Sequence, residues 1–163
     1  MKAVLMSLHN RHILNMHSGA KTNELRTRPP QLEPPFKVYN LDTISSGGCG
    51  KVVSEWICDS MTTWRICVGV PVYLVTTGCV TVSEILKYTD RGMKDLTSMH
   101  ISNLTIYDKP KELSEFKKAG FMTEEQWLCN LYPHTHCHYE AWAKRFEITK
   151  APQSWCYVEE LTV

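Results

Sequence analysis

Most of this chain alternates between apolar and polar residues with the period of a β-strand, and the helical stretches between are short. From Lys2 to Leu8, Val4 and Met6 fall on one side and Ala3 and Leu5 on the other, the pattern of a strand buried on both faces. Asn10 suits the cap of a short helix. In that helix Ile13, Leu14 and His17 share a face, and Arg11 and His12 fall opposite. His17 reads as a histidine at the core edge. Gly19 fits the left-handed position after a helix end, and a strand follows with Thr22, Glu24 and Arg26 on one face and Asn23 and Leu25 on the other.

Further strands are expected over residues 36–41, 51–61, 98–107 and 154–161. The turn at 45–50 joins a hairpin, with Val53, Ile57 and Cys58 as core candidates on its second arm. This turn is no phosphate loop, because Gly50-Lys51 is followed by Val52 and then by a strand pattern. Residues 64–77 are apolar and β-rich, broken by Gly69 and Pro71, and read as an inserted strand pair or a loop. Thr81 and Glu84 have capping-box spacing for a helix that ends at Asp90-Arg91-Gly92. Pro110 opens a helical turn from which Leu113 and Phe116 pack back. Thr123 caps another helix, and residues 139–146 read as a further one. Strands dominate, so the expected class is α+β, mostly β, a small closed or partly closed sheet with three or four short helices packed around it.

At 163 residues the chain is read as one domain, 1–163, with a variable insertion around 116–139. Hydrophobic residues make up 43% and charged residues 21%, which supports a packed core and argues against disorder. A net charge of +1 excludes a strongly basic, nonspecific nucleic-acid binder while leaving room for a local basic patch. No apolar run reaches the ~18 residues of a membrane span, and the opening run has no signal-peptide pattern. Seven irregularly spaced cysteines without a C-x-x-C point to reduced thiols and a cytoplasmic setting. His134, His136, Cys137 and His138, with Cys129 nearby, lack the spacing of a structural zinc site and read as a polar loop. No metal or cofactor is expected.

The chemistry concentrates in Ser18-Gly19-Ala20-Lys21-Thr22-Asn23-Glu24-Leu25-Arg26. Lys21, Glu24 and Arg26 suit a recognition site for a phosphate or a base; as a solvated strand they would amount to one weak surface ion pair. Arg28 leads into the stiff 27–35 segment with its two proline pairs, a place to hold a phosphate. Glu55 sits among Val53, Trp56 and Ile57 and needs a partner there, which Lys21 or Arg26 would supply if it faced the same hollow.

The stretch from Ile13 to Arg26, with its Gly-x-Lys-Thr and Glu-Leu-Arg, resembles the signature of the ASCH domain. Gly50-Lys51-Val52-Val53-Ser54-Glu55-Trp56 is similar to the second strand motif, with Ser54 standing where a glycine is usual. His100 to Pro110 and Ala151 to Val158 resemble the late and closing strands. The resemblance implies a PUA-like β-barrel with a cleft beside the helix that follows the first strand. It also implies a module that handles RNA or modified bases.

Three classes follow. The first is a binding module in which Lys21, Thr22, Glu24, Arg26, Arg28, Gln153 and Ser154 take single-stranded RNA, a nucleoside or a nucleotide, with Trp56, Trp64 and Tyr39 as stacking candidates. The second is a hydrolase with Lys21, Glu24 and Glu55 as catalytic candidates. Family members that look like N4-acetylcytidine amidohydrolases use a lysine, a threonine and a glutamate. Lys21 matches that lysine, but Glu24 stands where the threonine would be. In a ribonuclease-like member, Lys21 would stabilise developing charge, Glu24 would act as base and His100 as acid. The third is a protein-interaction adaptor, which no coiled coil, tail or partner helix supports; neither a protein partner nor a membrane is expected.

Overall fold

The fold is described from a computed structural model covering residues 2–119 and 146–161. Six strands form one sheet: β1 (Lys2–Leu8), β2 (Asn23–Arg26), β3 (Phe36–Asp42), β4 (Val52–Trp64), β5 (Leu96–Lys111) and β6 (Trp155–Glu159). Their order is β2-β5-β4-β3-β1-β6, with β1 and β3 parallel and every other pair antiparallel. Among the described residues three α-helices accompany them: α1 (Asn10–His17), α2 (Val72–Gly78) and α3 (Val82–Tyr88). The α+β, mostly strand character is as expected.

The ladder is open, where a closed or partly closed sheet was expected and the resemblance implied a barrel. Among the described residues no backbone pairing joins β2 to β6. Side chains bridge these outer strands instead: Arg26 donates to Ser154 Oγ (3.0 Å), and Trp155 Nε1 donates to the Arg28 carbonyl (2.8 Å). The sheet is therefore curled, with its two ends tied by side-chain bonds.

Burial follows the alternation. β1 is buried on both faces: Val4 and Met6 pack with Trp56, Cys58 and α1's Ile13 and Met16, while Ala3 and Leu5 pack with Tyr39, Phe116 and Val158. On β4 Cys58 is buried as expected, but Val53 and Ile57 are not on the buried face. Val52, Ser54, Trp56 and Cys58 are buried, whereas Val53 and Ile57 are only half-buried. Ser54 is buried because it hydrogen-bonds Asn40 Nδ2 and His17 Nε2 at 3.0 Å each, completing a polar cluster that also ties Trp56 Nε1 to Asn40 (2.9 Å). Trp56 and Tyr39 are fully buried and so are core residues instead of stacking platforms. The five described cysteines are free thiols.

Residues 64–77 contain a helix where a strand pair or a loop was expected. Pro71 precedes α2, and Leu74 and Gly78 are buried against a third cluster that includes Leu25, Ile66, Ile85 and Leu96. Thr81 and Glu84 make both bonds of the expected capping box at α3. Asn10 does not cap α1. His9 occupies that position, and the Asn10 side chain bonds Asp42 instead. Phe116 packs on Tyr39 with ring centroids 5.0 Å apart. The expected helices at 123–126 and 139–146 and the histidine and cysteine group at 134–138 lie outside the described residues, apart from Phe146. No described helix is long and apolar enough to cross a membrane.

Candidate functional site

The Lys21–Arg26 stretch runs along the C-terminus of α2. The backbone N–H of Thr22 donates to the Thr77 carbonyl, and Lys21 Nζ donates to the Gly78 carbonyl (2.8 Å). These are among the last carbonyls of α2, which have no partner within the helix. Their partial negative charge favours an ammonium beside them. Asn23 adds bonds to Tyr73 Oη (2.7 Å) and Thr77 Oγ1 (3.1 Å). Gly78 packs closely on β2: a Cβ there would lie 2.6 Å from Leu25 Cδ1 and would push that side chain aside.

Period-two geometry then turns Glu24 and Arg26 to the same side. Lys21, Glu24 and Arg26 are only 3%, 4% and 8% exposed, which rules out the solvated-strand alternative. Arg26 Nε lies 2.9 Å from Glu24 Oε1, and Lys21 Nζ lies 3.3 Å from Oε2. Beyond its ion pair with Lys21, the buried Oε2 has no hydrogen-bond donor. Burial by itself would raise the Glu24 pKa; the charges of Lys21 and Arg26 outweigh it and hold the carboxyl below the usual range. Arg26 is fixed further by its bond to the Ser7 carbonyl (3.2 Å).

The three side chains line a cavity of about 630 Å³, within the ~300–1,000 Å³ usual for small-molecule sites. Its walls come from the β1–α1 junction, α3 and Gln153. Its lining includes four cationic side chains, Arg11, Lys21, Arg26 and Lys87, and two carboxylates, Glu24 and Glu84. Arg11 pairs with Glu84 and so links α1 to α3 at the rim. Tyr88, half exposed, is the aromatic of the wall.

His12 faces this cavity, contrary to its expected place on the far side of α1. Its Nδ1 is buried without a hydrogen-bond partner. Desolvation, and then the positive charge of Lys21, lower its pKa from 6.5 to about 4, so the ring is neutral at pH 7.

The structure thus brings together Lys21, Glu24, Arg26 and Gln153, with Ser154 bonded to Arg26. It leaves three expected members apart. The Thr22 side chain is exposed and off the cavity, and so is that of Arg28. Glu55 does not meet Lys21 or Arg26; its oxygens are taken by Lys37 (3.0 Å) and Tyr107 Oη (2.5 Å) beside Tyr39. His100 pairs with Asp59 at an exposed position, and Trp64 donates to Ser98, so neither lines the cavity. His9, Arg11, His12, Glu84, Lys87 and Tyr88 were not singled out as site residues from the sequence, because only the fold places the start of α1 and one side of α3 across from Lys21. Among the described residues no group of His, Cys, Asp or Glu side chains is arranged to hold a metal ion.

No protein-family model and no curated protein matches the sequence. Three solved structures are similar along nearly the whole chain: the ASCH protein of Zymomonas mobilis and two of its single-residue mutants, one tyrosine to phenylalanine and one serine to alanine. Each is 14% identical. The unsubstituted protein gives a TM-score of 0.62, covering 97% of this chain and 88% of that one. The tyrosine mutant gives 0.60 with 98% and 92% covered, and the serine mutant 0.63 with 97% and 89%. At that identity the likeness is one of fold, and the curled sheet with its helix after the first strand is an ASCH-type fold.

Proposed function

We propose that the cavity binds one nucleoside or nucleotide unit, free or within single-stranded RNA, and that the protein is a binding module of the PUA-like kind. The observation that carries this is the buried Lys21–Glu24–Arg26 group, opening on a hollow of nucleotide dimensions. Glu24 Oε2 accepts an N–H of a base edge, Tyr88 offers a stacking face, and Arg11 and Lys87 take phosphate oxygens at the rim. Gln153 supplies an amide. The ASCH-type fold supports the reading, since RNA handling is what the sequence resemblance implies. In the same reading the side-chain bridges between β2 and β6 are the seam of a PUA-like barrel, and the free thiols suit a cytoplasmic setting.

Hydrolysis is the second reading, and His12 favours it: a neutral imidazole with an open Nδ1, beside Lys21 and Glu24, has the form of a base for a bound water. Binding ranks first because Ser7, a hydroxyl of the cavity wall, is committed to the Pro152 carbonyl (2.7 Å) and has no base paired to it.

The test is a panel of nucleosides, acylated nucleosides, nucleoside monophosphates and short single-stranded RNAs, followed for both binding and turnover. Saturable binding without turnover is expected. Tyr88→Ala, at an exposed position, should weaken it by about 5- to 150-fold, the equivalent of one stacked base. Turnover that disappears in His12→Gln would replace the first reading with the second. No saturable binding by any member would overturn both.

A further inference from the structure

We infer that loop 45–50, folded onto Asp42, is a buttress that holds the α1 wall of the cavity in place, which makes Asp42 and Gly48 positioning residues for the site. The inference rests on the proposed function only in taking this cavity as the place where ligand binds.

The cavity wall at the β1–α1 junction is made by Leu8, His9, Arg11 and His12. α1 lacks a side-chain cap of its own at His9, so its first turn depends on other contacts. Arg11 reaches across to Glu84 of α3, and the remaining contacts come from behind, from the end of β3 and the segment after it. The Leu8 carbonyl accepts from the Thr43 N–H (3.1 Å) and from Thr43 Oγ1 (3.0 Å). The Asn10 N–H donates to Ser46 Oγ (2.9 Å), and Asn10 Nδ2 donates to the Asp42 carboxylate (3.1 and 3.3 Å).

Asp42 is itself 5% exposed, and the loop closes over it. The Cys49 N–H donates to Oδ2 (3.2 Å), and the Gly50 N–H donates to the Asp42 carbonyl (2.8 Å). This closure requires glycine at position 48: a Cβ there would stand 2.1 Å from Asp42 Oδ1. No member of the loop, nor Asp42, lines the cavity. The glycine-rich stretch therefore acts on the site through α1, two contacts removed from any ligand.

His12 reports the wall's position without any ligand, because its proton affinity depends on burial and on the distance to Lys21. The experiment is an NMR titration of the His12 ring in the full chain, with His100 in the same spectra as the control far from the wall. Gly48→Ala and Asp42→Ala should raise the His12 midpoint by about one unit or more towards its ordinary value and leave His100 unmoved. Asp42→Asn, which keeps an acceptor oxygen, should restore part of the wild-type value. Should the first two variants fail to fold, Ser46→Ala and Asp42→Asn carry the test and should show smaller shifts in the same direction.

A His12 midpoint within about 0.2 units of wild type in the folded variants would overturn the buttress. So would an equal movement of His100, which would mark general loosening. Because no ligand is involved, loss of the binding reading leaves this result standing, and a nucleotide-binding protein with an unmoved His12 would sink the buttress alone.

Discussion

Two strand carboxylates, Glu24 and Glu55, invite the same reading from the sequence: each is an acid that Lys21 or Arg26 could pair with. The fold treats them differently. Both oxygens of Glu55 are closed off by donors, Lys37 and Tyr107, and its side chain keeps 23% of its surface exposed. Glu24 is 6% exposed at its side chain, lies between two buried cations, and keeps one oxygen without an aligned hydrogen bond at a cavity wall. Glu55 is satisfied by hydrogen bonds, whereas Glu24 is held by ion pairs to two buried cations. Burying charge is costly, and leaving part of it unsatisfied is costlier still. Sites that hold such groups are where function concentrates.

Glu24→Ala breaks the contrast most strongly. It strands Lys21 and Arg26 as buried cations, and breaking one side of a buried pair costs about 3–5 kcal/mol. Glu55→Ala, with its partners closer to water, should cost no more than about 1–2 kcal/mol. Urea unfolding of the two variants side by side measures both, and equal losses would erase the distinction.

Acidification is the next lever. His12 is neutral in the fold, with its pKa lowered to about 4 from 6.5, and burial lowers that of His17 as well. The unfolded chain takes up these protons first, so stability should fall as pH drops from 6.5 towards 4, and the His12 part should level off below that. Glu24, depressed in the fold, adds a further loss once pH falls through its folded value. His12→Gln should flatten the upper part of the slope in thermal melts recorded across this range. The smallest effect belongs to the other cluster: Tyr107→Phe removes one donor from Glu55 and should cost about 1 kcal/mol, with nucleotide binding unchanged by titration.

Much of the frame was legible. The β1 pattern gave Lys2–Leu8, and the Thr81–Glu84 spacing marked the start of α3. The meeting of Glu24 and Arg26 followed from strand periodicity, and Lys21 joins them from the corner just before β2. α2 escaped because Val72, Val75, Thr76 and Thr77 are β-branched; burial of Leu74 and Gly78 against β2 overrode that local preference. On β4 Cys58 was read correctly, but Val53 and Ile57 were taken as core because they are apolar, whereas the buried face holds Ser54, which bonds Asn40 and His17. The Glu55 expectation failed for a related reason: the strand alone does not reveal that Lys37 and Tyr107 lie nearer than Lys21. His12 was misplaced because Leu14, taken as part of the buried face, is 59% exposed, so the real inner face of α1 is turned towards Ile13 and Met16 and carries His12 to the cavity. Tyr88 reads as an ordinary helix-end residue until α3 is set opposite Lys21.

The most direct measurement is a titration of the protein with a short single-stranded RNA and, in parallel, with nucleoside monophosphates, following the ring resonances of His12 and His100 together. Binding in the cavity predicts saturable shifts at His12, a quiet His100, and loss of the response in Tyr88→Ala. An unmoved His12, or shifts of equal size at both histidines, would contradict the claim that the Lys21–Glu24–Arg26 hollow is where this protein meets its ligand.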